Sequence, residues 1–453
     1  DLAFSDNTNL RFKSVNWEVH SGRGHDHKNI YKLLKKAQVS KVPCLLNFKT
    51  TIGFGSPNKS AKASSHGSPL GSEEVKLTRS KLSWNEKPFQ IPDKLLKIWR
   101  NSSTKNLQIY KKTKSISHTN LSNKDIDNLF NKIETDLKDF KSDQATRKSS
   151  EAILHYFKKD HPILGGSADL TGSNNTKGKE MSVMDSTNTT GQYIHYGVRE
   201  HGMAAIMNGI AATKIYKTYS GTFLSFADYM KPSLRLAALM KINPIQVFTH
   251  DSIGLGEDGP THQPIEQINM LRLIPNSYVF RPCDLKETIV CWREALKIND
   301  APSFICLSRQ NLPQISNKKL DSKKFKGAYV IYGPKINNDI TIIATGSEVS
   351  LAVNSAVRIR DAGIIAKVIS MPSTSVFEKQ SKTFKNNLLK SNSSETFVIE
   401  AGSTMYWNKY TKYENIFGLD NFGASAPGNE VFRKFGLTTE TVSSKIIRKI
   451  RTK

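Results

Sequence analysis

The stretch THDSIGLGEDGPTHQP, from Thr249 to Pro264, concentrates side chains that could do chemistry. His250, His262 and Asp258 lie here on a glycine-rich backbone, although the chain has only 11 histidines in 453 residues. Imidazole groups suit a reaction that moves protons between oxygen atoms near neutral pH. A polar, glycine-rich segment of this kind is typical of a loop that binds a ligand.

The same stretch lacks the pattern of a metal site. A calcium loop that began at Asp251 would have Ile253 and Leu255 where oxygen ligands are required. The two histidines have neither the H-E-x-x-H spacing nor the neighbouring cysteine of a zinc site. The loop is therefore expected to bind a ligand other than a metal ion, and no residue of the chain is predicted to be a metal ligand.

Glu200 lies in the segment YIHYGVREHGM, where a strand-like pattern gives way to a helical one. A glutamate in the first turn of a helix often only complements the helix dipole at the surface. The alternative is acid–base chemistry, in which a buried carboxyl group faces a basic nitrogen. The local pattern leaves both interpretations open.

Three aromatic residues, Phe223, Phe226 and Tyr229, are three residues apart in the segment TFLSFADYM. This spacing predicts that their rings lie on one side of a helix. Such a cluster either packs in the core or forms a platform on which a flat heteroaromatic ring can stack.

Candidate anion-binding residues flank this region. Asp169 and Ser173 follow the strand-like segment PILGGSADL, in a loop of small residues. Arg147 and Arg309 could clamp an anion, because a guanidinium matches two oxygens of a phosphate or carboxylate. Taken singly, either arginine could equally form a surface ion pair.

The elements that must position these residues alternate regularly from Thr146 onwards. Apolar, β-branched strand patterns alternate with helical ones in two α/β units, the first ending near Arg309 and the second beginning near Lys326. This alternation predicts mostly parallel sheets with helices on both faces. In such sheets ligands bind at the carboxyl ends of strands. Because PIQVFT is a predicted strand, the loop that starts at His250 should lie at this edge.

Composition narrows the class of protein. The four cysteines form no C-x-x-C pair, which predicts reduced structural thiols. No apolar run approaches a membrane span and no signal pattern is visible, so we expect no membrane association and a cytoplasmic location. The net charge is +26, but the lysines are spread along the whole chain rather than in a stripe, which disfavours nucleic acid as a partner.

A set of motifs then resembles the transketolase family. They are, in chain order, GGSADL, YGVREHGMAAIMNGIA, TFLSFADYMKPSLRLAALM, THDSIGLGEDGPTHQPIEQ, RPCD, LSRQNLP, TGSEV, MPST and FGASAP. The resemblance covers nearly the whole chain and implies three consecutive α/β domains of the thiamine diphosphate-binding fold, the first one incomplete. The expected organisation is a remnant of the diphosphate-binding domain (1–98), a polar linker with some helix (99–143), a pyrimidine-binding domain (144–315) and a C-terminal domain (326–453).

The resemblance also implies an activity and a cofactor. Transketolases transfer a two-carbon ketol unit from a ketose phosphate to an aldose phosphate in the pentose phosphate pathway. They use thiamine diphosphate and a divalent metal such as magnesium, and they act as homodimers. The cofactor's own aminopyrimidine deprotonates its thiazolium, and a carboxyl group on the pyrimidine ring nitrogen promotes this step.

By motif, each candidate residue acquires an expected role. Glu200 would supply that carboxyl group, and Phe226 would stack on the pyrimidine, with Phe223, Tyr229, Asp169 and Leu170 around the cofactor. The substrate phosphate would contact Arg147, Ser173, His250 and Arg309. Asp258 would bind a sugar hydroxyl, while His262 and His66 would contact hydroxyl and carbonyl oxygens and assist proton transfer.

The sequence departs from the family in one respect that matters for activity. The family's metal and diphosphate motif, a G-D-G followed later by an Asn, is not found, so we expect an N-terminally truncated chain that binds thiamine diphosphate weakly and does not turn over. Ala63 also stands where relatives often have another histidine. Two alternatives remain: a ketol transferase with another small aldehyde acceptor, and a catalytically dead chain that binds a protein partner or nucleic acid.

Overall fold

Alternating helices and strands build the chain. The computed structural model describes residues 3–113, 121–316, 320–390, 392 and 395–452. The chain divides into two compact units, Asp1–Ile116 and Ser117–Lys453. Within the described ranges, no helix is long and apolar enough to cross a membrane. The four cysteines are free, as expected.

The first unit contains a pair of parallel strands with helices around it. Its elements are α1 (Thr8–Lys13), β1 (Glu18–Arg23), α2 (His27–Gln38), β2 (Cys44–Lys49), α3 (Ser72–Lys81) and α4 (Asp93–Thr113). The strands pair in register from Glu18 opposite Cys44 onwards. The side chain of Asp26 caps α2 by accepting a 3.0 Å hydrogen bond from the backbone N–H of Asn29, which satisfies one of the free N–H groups at the helix start.

The second unit begins with a central sheet of parallel strands. The strands are β3 (Ile163–Ser167), β4 (Tyr193–His195), β5 (Lys217–Phe223), β6 (Pro244–Thr249), β7 (Tyr278–Phe280) and β8 (Ser303–Leu307), in the spatial order β4-β3-β5-β6-β8-β7. All neighbouring pairs run parallel. The carboxyl ends of these strands therefore lie along one edge.

Helices cover both faces of this sheet. They are α5 (Asn123–Asp136), α6 (Thr146–Leu154), α7 (Thr171–Asn174), α8 (Glu200–Ala212), α9 (Ala227–Met240), α10 (Gln267–Arg272) and α11 (Leu285–Lys297). On one face Val247 packs in a core with Trp292 of α11, and on the other Phe248 packs in a core with Leu234 of α9. Burial on both faces explains why β6 and β8 are apolar at most positions rather than alternating.

Helix α5 lies in the segment 99–143, which the sequence predicts to be a polar linker with some helix. Ile126, Phe130 and Ile133 are spaced by four and three residues, so they share one face of the helix. All three are almost completely buried in the core that contains Trp292. This lysine-rich stretch thus contributes to the central domain's core.

The second unit ends with another sheet, which is parallel except for one strand. Its strands are β9 (Tyr329–Tyr332), β10 (Ile340–Ala344), β11 (Ala366–Ser370), β12 (Glu395–Ile399) and β13 (Ile416–Phe417), in the order β13-β12-β10-β11-β9. Strand β9 runs antiparallel to β11. The helices are α12 (Glu348–Asp361), α13 (Thr374–Glu378), α14 (Lys382–Leu389), α15 (Gly428–Lys434) and α16 (Thr439–Arg451). We call this region the third domain.

Short 3-10 helices lie between these elements. Their bounds are Ala63–Ser65, Leu224–Phe226, Ile253–Leu255, Ser322–Lys324, Met405–Lys409 and Tyr413–Asn415. The segment Ile253–Leu255 lies inside the loop that follows β6, which is therefore partly ordered by its own backbone.

A buried cluster of charges joins the central domain to the third domain. Arg281 contacts Asp251 through its Nε, at 2.9 Å, and Glu348 through Nη1. Arg272 holds Glu400 with two parallel hydrogen bonds of 2.6 and 2.7 Å. Burial alone would raise the pKa of Glu400, but Arg272 lowers it to about 2. Paired and hydrogen-bonded in this way, the charges can remain ionised in the interior.

Candidate active site

The carboxyl edge of the central sheet gathers most of the candidate residues. Strand β3 is followed by Asp169, Leu170 and Ser173, and strand β4 by Glu200. Strand β5 ends at Phe223 and is followed by Phe226 and Tyr229. Strand β6 is followed by His250, Asp258 and His262, and strand β8 by Arg309. The five strands are neighbours in the sheet, so their following loops meet along one line. Such an edge is where α/β folds bind ligands.

Aromatic rings form a continuous row at this edge. The ring of Phe223 stacks on His250, with centroids 3.7 Å apart, and on Phe226, at 5.7 Å. Phe226 in turn contacts Tyr229 at 6.0 Å. The row runs from buried His250 to Tyr229, whose side chain is 65% exposed.

The expectation that the three aromatic residues share one helix is wrong. Phe223 is the last residue of β5, Phe226 belongs to a 3-10 helix, and only Tyr229 lies on α9. Phe223 stays in the strand because it pairs with Thr249 of β6. The rings still assemble, because the chain turns sharply between strand and helix.

His262 lies at the edge of the same row. Its ring is tilted by 68° against Phe226 and 67° against Phe223, with centroids 5.5 and 6.1 Å apart. Its Nδ1 is 2.9 Å from the hydroxyl of Thr261. This arrangement leaves Nε2 as the nitrogen available to a ligand.

His250 is held in an unusual conformation and in one tautomer. Its φ is +59°, in the left-handed region, and its side chain is 3% exposed. Nδ1 lies 2.8 Å from the hydroxyl of Thr249, which donates its own proton to Oδ1 of Asn174 at 2.7 Å. The Thr249 oxygen must then accept from Nδ1–H, so Nε2 carries the lone pair.

The surroundings of His250 make this ring hard to protonate. Burial, followed by the charges of Arg147, Arg309 and His262, lowers its pKa to about 3. The imidazole is therefore neutral near pH 7 and lies beside two permanent positive charges. An anion bound here would reduce the repulsion that opposes protonation.

This pKa has a consequence for stability that can be measured. The unfolded chain takes up a proton on His250 near pH 6.5, whereas the folded chain does so only near pH 3. The unfolded state thus binds more protons between these values, so this contribution to stability is complete above pH 6.5 and falls as the pH drops. When the pH is lowered from 7 to 4.5, the unfolding free energy of the parent should fall by about 2 kcal/mol more than that of His250→Asn. Urea denaturation at both pH values would measure this.

The control for this experiment is His195→Asn, because His195 is exposed at the end of β4. Asn is chosen because it tolerates a positive φ better than most residues. Equal pH dependence in the parent and in His250→Asn would contradict the effect attributed to His250.

Arg147 enters the site from the first turn of α6. The helix is anchored to the end of β8, because the backbone N–H of Ser308 donates to the hydroxyl of Thr146 at 2.7 Å. The Arg147 guanidinium donates to the backbone oxygen of Ser173 through Nη1, while its buried Nε has no hydrogen-bond partner among the residues that the structure describes. Burial and the charge of Arg309 both lower its pKa. The guanidinium groups of Arg147 and Arg309 and the imidazole of His250 thus lie close together, and the Nε–H of Arg147 is available as a donor. This arrangement suits the binding of an anion.

Other candidates have a position but few contacts. Glu200 is the first residue of α8, is half-buried, and makes no hydrogen bond or ion pair within the part of the chain that the structure describes. Asp258 is exposed and equally unpaired there. Asp169 is exposed with a φ of +63°, and Leu170 precedes α7. These side chains are available to a ligand, but no contact reveals what they hold.

His66 belongs to the first unit. It is exposed and follows the 3-10 helix Ala63–Ser65, where its backbone N–H donates to the oxygen of Ala63 at 2.9 Å.

Sequence reasoning missed several residues of the site. Asn174 and Thr249 orient His250, and their contact spans 75 positions in the chain. Gln310, next to Arg309, has a buried side-chain amide whose oxygen and nitrogen both lack partners among the described residues. Its place in the segment LSRQNLP was visible, but nothing local distinguished it from a surface glutamine.

No metal centre accompanies these residues in the described ranges. No group of three or more His, Cys, Asp or Glu side chains there could hold a metal ion.

Comparison with known families covers almost the whole chain. Residues 1–131 match the transketolase thiamine diphosphate binding domain, residues 142–314 the transketolase pyrimidine binding domain, and residues 327–438 the transketolase-like C-terminal domain.

Individual relatives agree with these matches. The transketolase of Buchnera aphidicola subsp. Baizongia pistaciae is 41% identical over 98% of this chain and 70% of its own length. Transketolase 2 of Escherichia coli K12 is 40% identical over 98% of this chain and 69% of its own length.

Solved structures give the same result. Transketolase from Campylobacter jejuni matches 100% of this chain and 70% of its own, with 39% identity and a TM-score of 0.85. A Pichia stipitis transketolase in complex with sedoheptulose 7-phosphate matches 100% of this chain and 69% of its own, with 35% identity and a TM-score of 0.87. The chain, with its α/β fold of three transketolase domains, therefore belongs to the transketolase family.

Proposed function

We propose that this protein transfers a two-carbon ketol unit from a ketose phosphate to an aldose phosphate. The observation that supports this most is the convergence of Arg147, Arg309 and His250 beside a row of stacked aromatic rings at one sheet edge. The positive groups suit a phosphate, and the rings suit a flat heterocycle. Both features are needed by an enzyme that joins a cofactor ring to a phosphorylated sugar.

The residues present fit the pyrimidine half of thiamine diphosphate. Phe226 lies between Phe223 and Tyr229 in the row. Because it is only half-buried, part of its ring remains accessible for stacking with a heterocycle. Glu200 is a half-buried carboxylate without a partner in the described part of the chain, as required for a group that binds the pyrimidine ring nitrogen. We assign Phe223, Tyr229, Asp169 and Leu170 to the surroundings of this ring.

Thiamine diphosphate supplies, when bound, the acidic thiazolium C–H that ketol transfer needs. The chain's part is to hold the ring nitrogen with Glu200, to keep water away from the buried side of the row, and to orient the sugar. We propose Mg²⁺ as the metal that accompanies the diphosphate. No step described here depends on it.

Sugar phosphates are the proposed substrates. Pichia stipitis transketolase has been crystallised in complex with sedoheptulose 7-phosphate and, as a mutant, with fructose 6-phosphate. In this chain Arg147, Ser173, Arg309 and His250 would hold the phosphate group. Asp258 would accept a hydrogen bond from a sugar hydroxyl, while His262 and His66 would exchange protons with the hydroxyl and carbonyl oxygens.

We further propose the domain bounds 1–98, 144–315 and 326–453, separated by the segment 99–143 and a short connection. We also propose that two copies of the chain associate. Large apolar side chains are exposed on and beside α8, α9 and α10: Val198, Ile206, Leu236, Leu239, Met240 and Leu273. Since α8 and α9 pack against each other, their side chains form a continuous apolar face that a second copy would cover.

This association can be tested by introducing a charge. Leu239 is 69% exposed on α9, so Leu239→Lys should leave the fold intact but oppose burial of this face. We expect sedimentation velocity to report monomers for Leu239→Lys and dimers for the parent. Ile336→Lys is the matched control, because Ile336 is 73% exposed in the third domain. Dimers in both variants would contradict the proposed interface.

The activity itself is tested by a coupled assay with xylulose 5-phosphate, ribose 5-phosphate, thiamine diphosphate and Mg²⁺. The assay should be run on the 453-residue chain and on the polypeptide encoded from its initiator methionine. Transfer that disappears in Glu200→Gln would support the proposal. Absence of transfer in both polypeptides would overturn it.

A further inference from the structure

The loop that carries three of the proposed substrate residues is fastened to the third domain. We call residues 250–263 the sugar loop. At its end, the side-chain amide of Gln263 is 3% exposed and spans the boundary between the two domains. Its Nε2 donates to the backbone oxygens of Gly256 and Ala424, both at 2.9 Å. Its Oε1 accepts from the backbone N–H of Ala424, also at 2.9 Å.

One side chain thus satisfies three backbone groups. Gly256 belongs to the sugar loop itself, while Ala424 belongs to the segment FGASAP of the third domain. All polar atoms of the Gln263 amide are used in these contacts. The residue therefore acts as a clamp that fixes the loop's internal fold and its attachment at the same time.

Glycines allow the two segments to approach closely. A Cβ on Gly428 would lie 2.7 Å from the backbone oxygen of Gly254, and a Cβ on Gly423 would lie 1.7 Å from Oε1 of Gln263. The hydroxyl of Ser425 also donates to the backbone oxygen of Glu257. Since Asp258 follows directly, this contact lies next to a proposed sugar-binding side chain.

The beginning of the sugar loop is fastened to the same domain. Asp251, which follows His250, is held by Arg281 at 2.9 Å. Arg281 also donates to the backbone oxygen and the hydroxyl of Thr345, both at 2.9 Å, in the loop between β10 and α12. The end of the loop thus contacts the third domain directly and its beginning is linked to that domain through Arg281, although none of the proposed substrate or cofactor residues lies there.

We propose that the third domain serves as the scaffold of the sugar loop and that Gln263 is the residue that positions Asp258 and His262 for the substrate. The inference rests on the proposed function, since it concerns how that site is held. The 3-10 helix Ile253–Leu255 orders the first half of the loop, whereas Gly256 and Gly259, with φ values of +95° and +76°, give the part that carries Asp258 a flexible backbone. Loss of the clamp should leave the sugar-binding side chains attached but misplaced.

Two substitutions on opposite sides of the domain boundary test this inference. Gln263→Ala removes the amide, and Gly423→Ala pushes the amide aside, which a flexible side chain allows without unfolding. In the polypeptide encoded from the initiator methionine, we expect each variant to raise the KM for the ketose phosphate about tenfold. The Kd for thiamine diphosphate, measured by titration calorimetry, should change less than about twofold. Gly423→Ala should add little in the Gln263→Ala background, because both changes break the same contacts.

Gln380→Leu is the matched control. It removes a 3.0 Å side-chain bond to the backbone oxygen of Val376 in the third domain, away from the sugar loop. It should change neither constant. A loss of thermal stability and kcat in the Gln263 and Gly423 variants, with KM unchanged, would indicate a merely structural contact and overturn the inference.

Hydrogen–deuterium exchange gives a readout that does not depend on activity. The amides of residues 252–262 should exchange faster in Gln263→Ala and Gly423→Ala than in the parent, while the amides of the third domain away from Ala424 should be unchanged. Unchanged exchange in the loop would overturn the scaffold role. If the parent shows no ketol transfer but the loop exchanges faster in both variants, the proposed function fails while the scaffold role stands.

Discussion

Glu200→Gln should lower the kcat for ketol transfer by about 10³-fold, the middle of the range for loss of one acid–base group. The amide has the size of the carboxylate and can still form a hydrogen bond with a ring nitrogen. It cannot exchange a proton with that nitrogen, which is the proposed contribution of Glu200. Steady-state kinetics of the polypeptide encoded from the initiator methionine, at saturating thiamine diphosphate and sugar phosphates, would measure the loss. Calorimetry on that polypeptide should find the cofactor still bound.

Glu440→Gln provides the comparison. Glu440 is also a glutamate in the first turn of a helix, α16, and it is exposed in the third domain. If Glu200 only complemented a helix dipole, both variants would lose a few tenths of a kcal/mol of stability and neither would lose activity. That outcome would remove Glu200 from the proposed site.

Arg309→Leu and Arg147→Leu should each reduce kcat/KM for a ketose phosphate by about 10²-fold, since a charge-assisted hydrogen bond contributes roughly 1.5 to 3 kcal/mol. The loss should be much smaller for a ketol donor without a phosphate group, such as hydroxypyruvate. The comparison of the two donors is the decisive measurement, because a general loss of structure would affect both equally.

Arg358→Leu serves as the control, since Arg358 is exposed in the last turn of α12. Removing Arg147 or Arg309 should also raise the pKa of His250, because the positive charges of these arginines oppose its protonation. An NMR titration of that ring would detect the change. Equal losses with phosphorylated and unphosphorylated donors would exclude the arginines from phosphate binding.

The sequence was sufficient to predict the α/β architecture and the edge at which the site lies. Each candidate in the central domain, apart from Arg147 at the start of α6, ends or follows a strand of the central sheet, and the strand before His250, PIQVFT, is apolar at most positions. Parallel strands buried on both faces have this pattern, and ligand sites follow their carboxyl ends. The motif resemblance added the roles, which contacts alone do not reveal for Glu200 and Asp258.

Local patterns were misleading at one place and incomplete at another. The three-residue spacing of Phe223 and Phe226 is typical of a helix, yet pairing with β6 keeps Phe223 in a strand, so that tertiary packing outweighed a local preference there. The segment before Thr146 was predicted to contain some helix, but its lysine-rich composition obscured the apolar face that Ile126, Phe130 and Ile133 form on α5.

Contacts between distant residues could not be predicted at all. Asn174 reaches Thr249 across 75 positions, and Gln263 reaches Ala424 across 161. The sequence around a glutamine or an asparagine in a loop does not indicate which distant residue its side chain will bind. These supporting residues become visible only once the domains are folded against each other.

The shared charges of Arg272, Arg281, Glu348 and Glu400 make the central and third domains inseparable. If the central domain were expressed alone, Arg272 would lose Glu400 and Arg281 would keep only Asp251, while the third domain alone would contain Glu348 and Glu400 without these arginines. Separation would also expose apolar side chains that pack across the boundary, among them Ile253 and Ile265. The two domains should therefore melt in a single calorimetric transition, and neither could be exchanged during evolution without a matching change in the other.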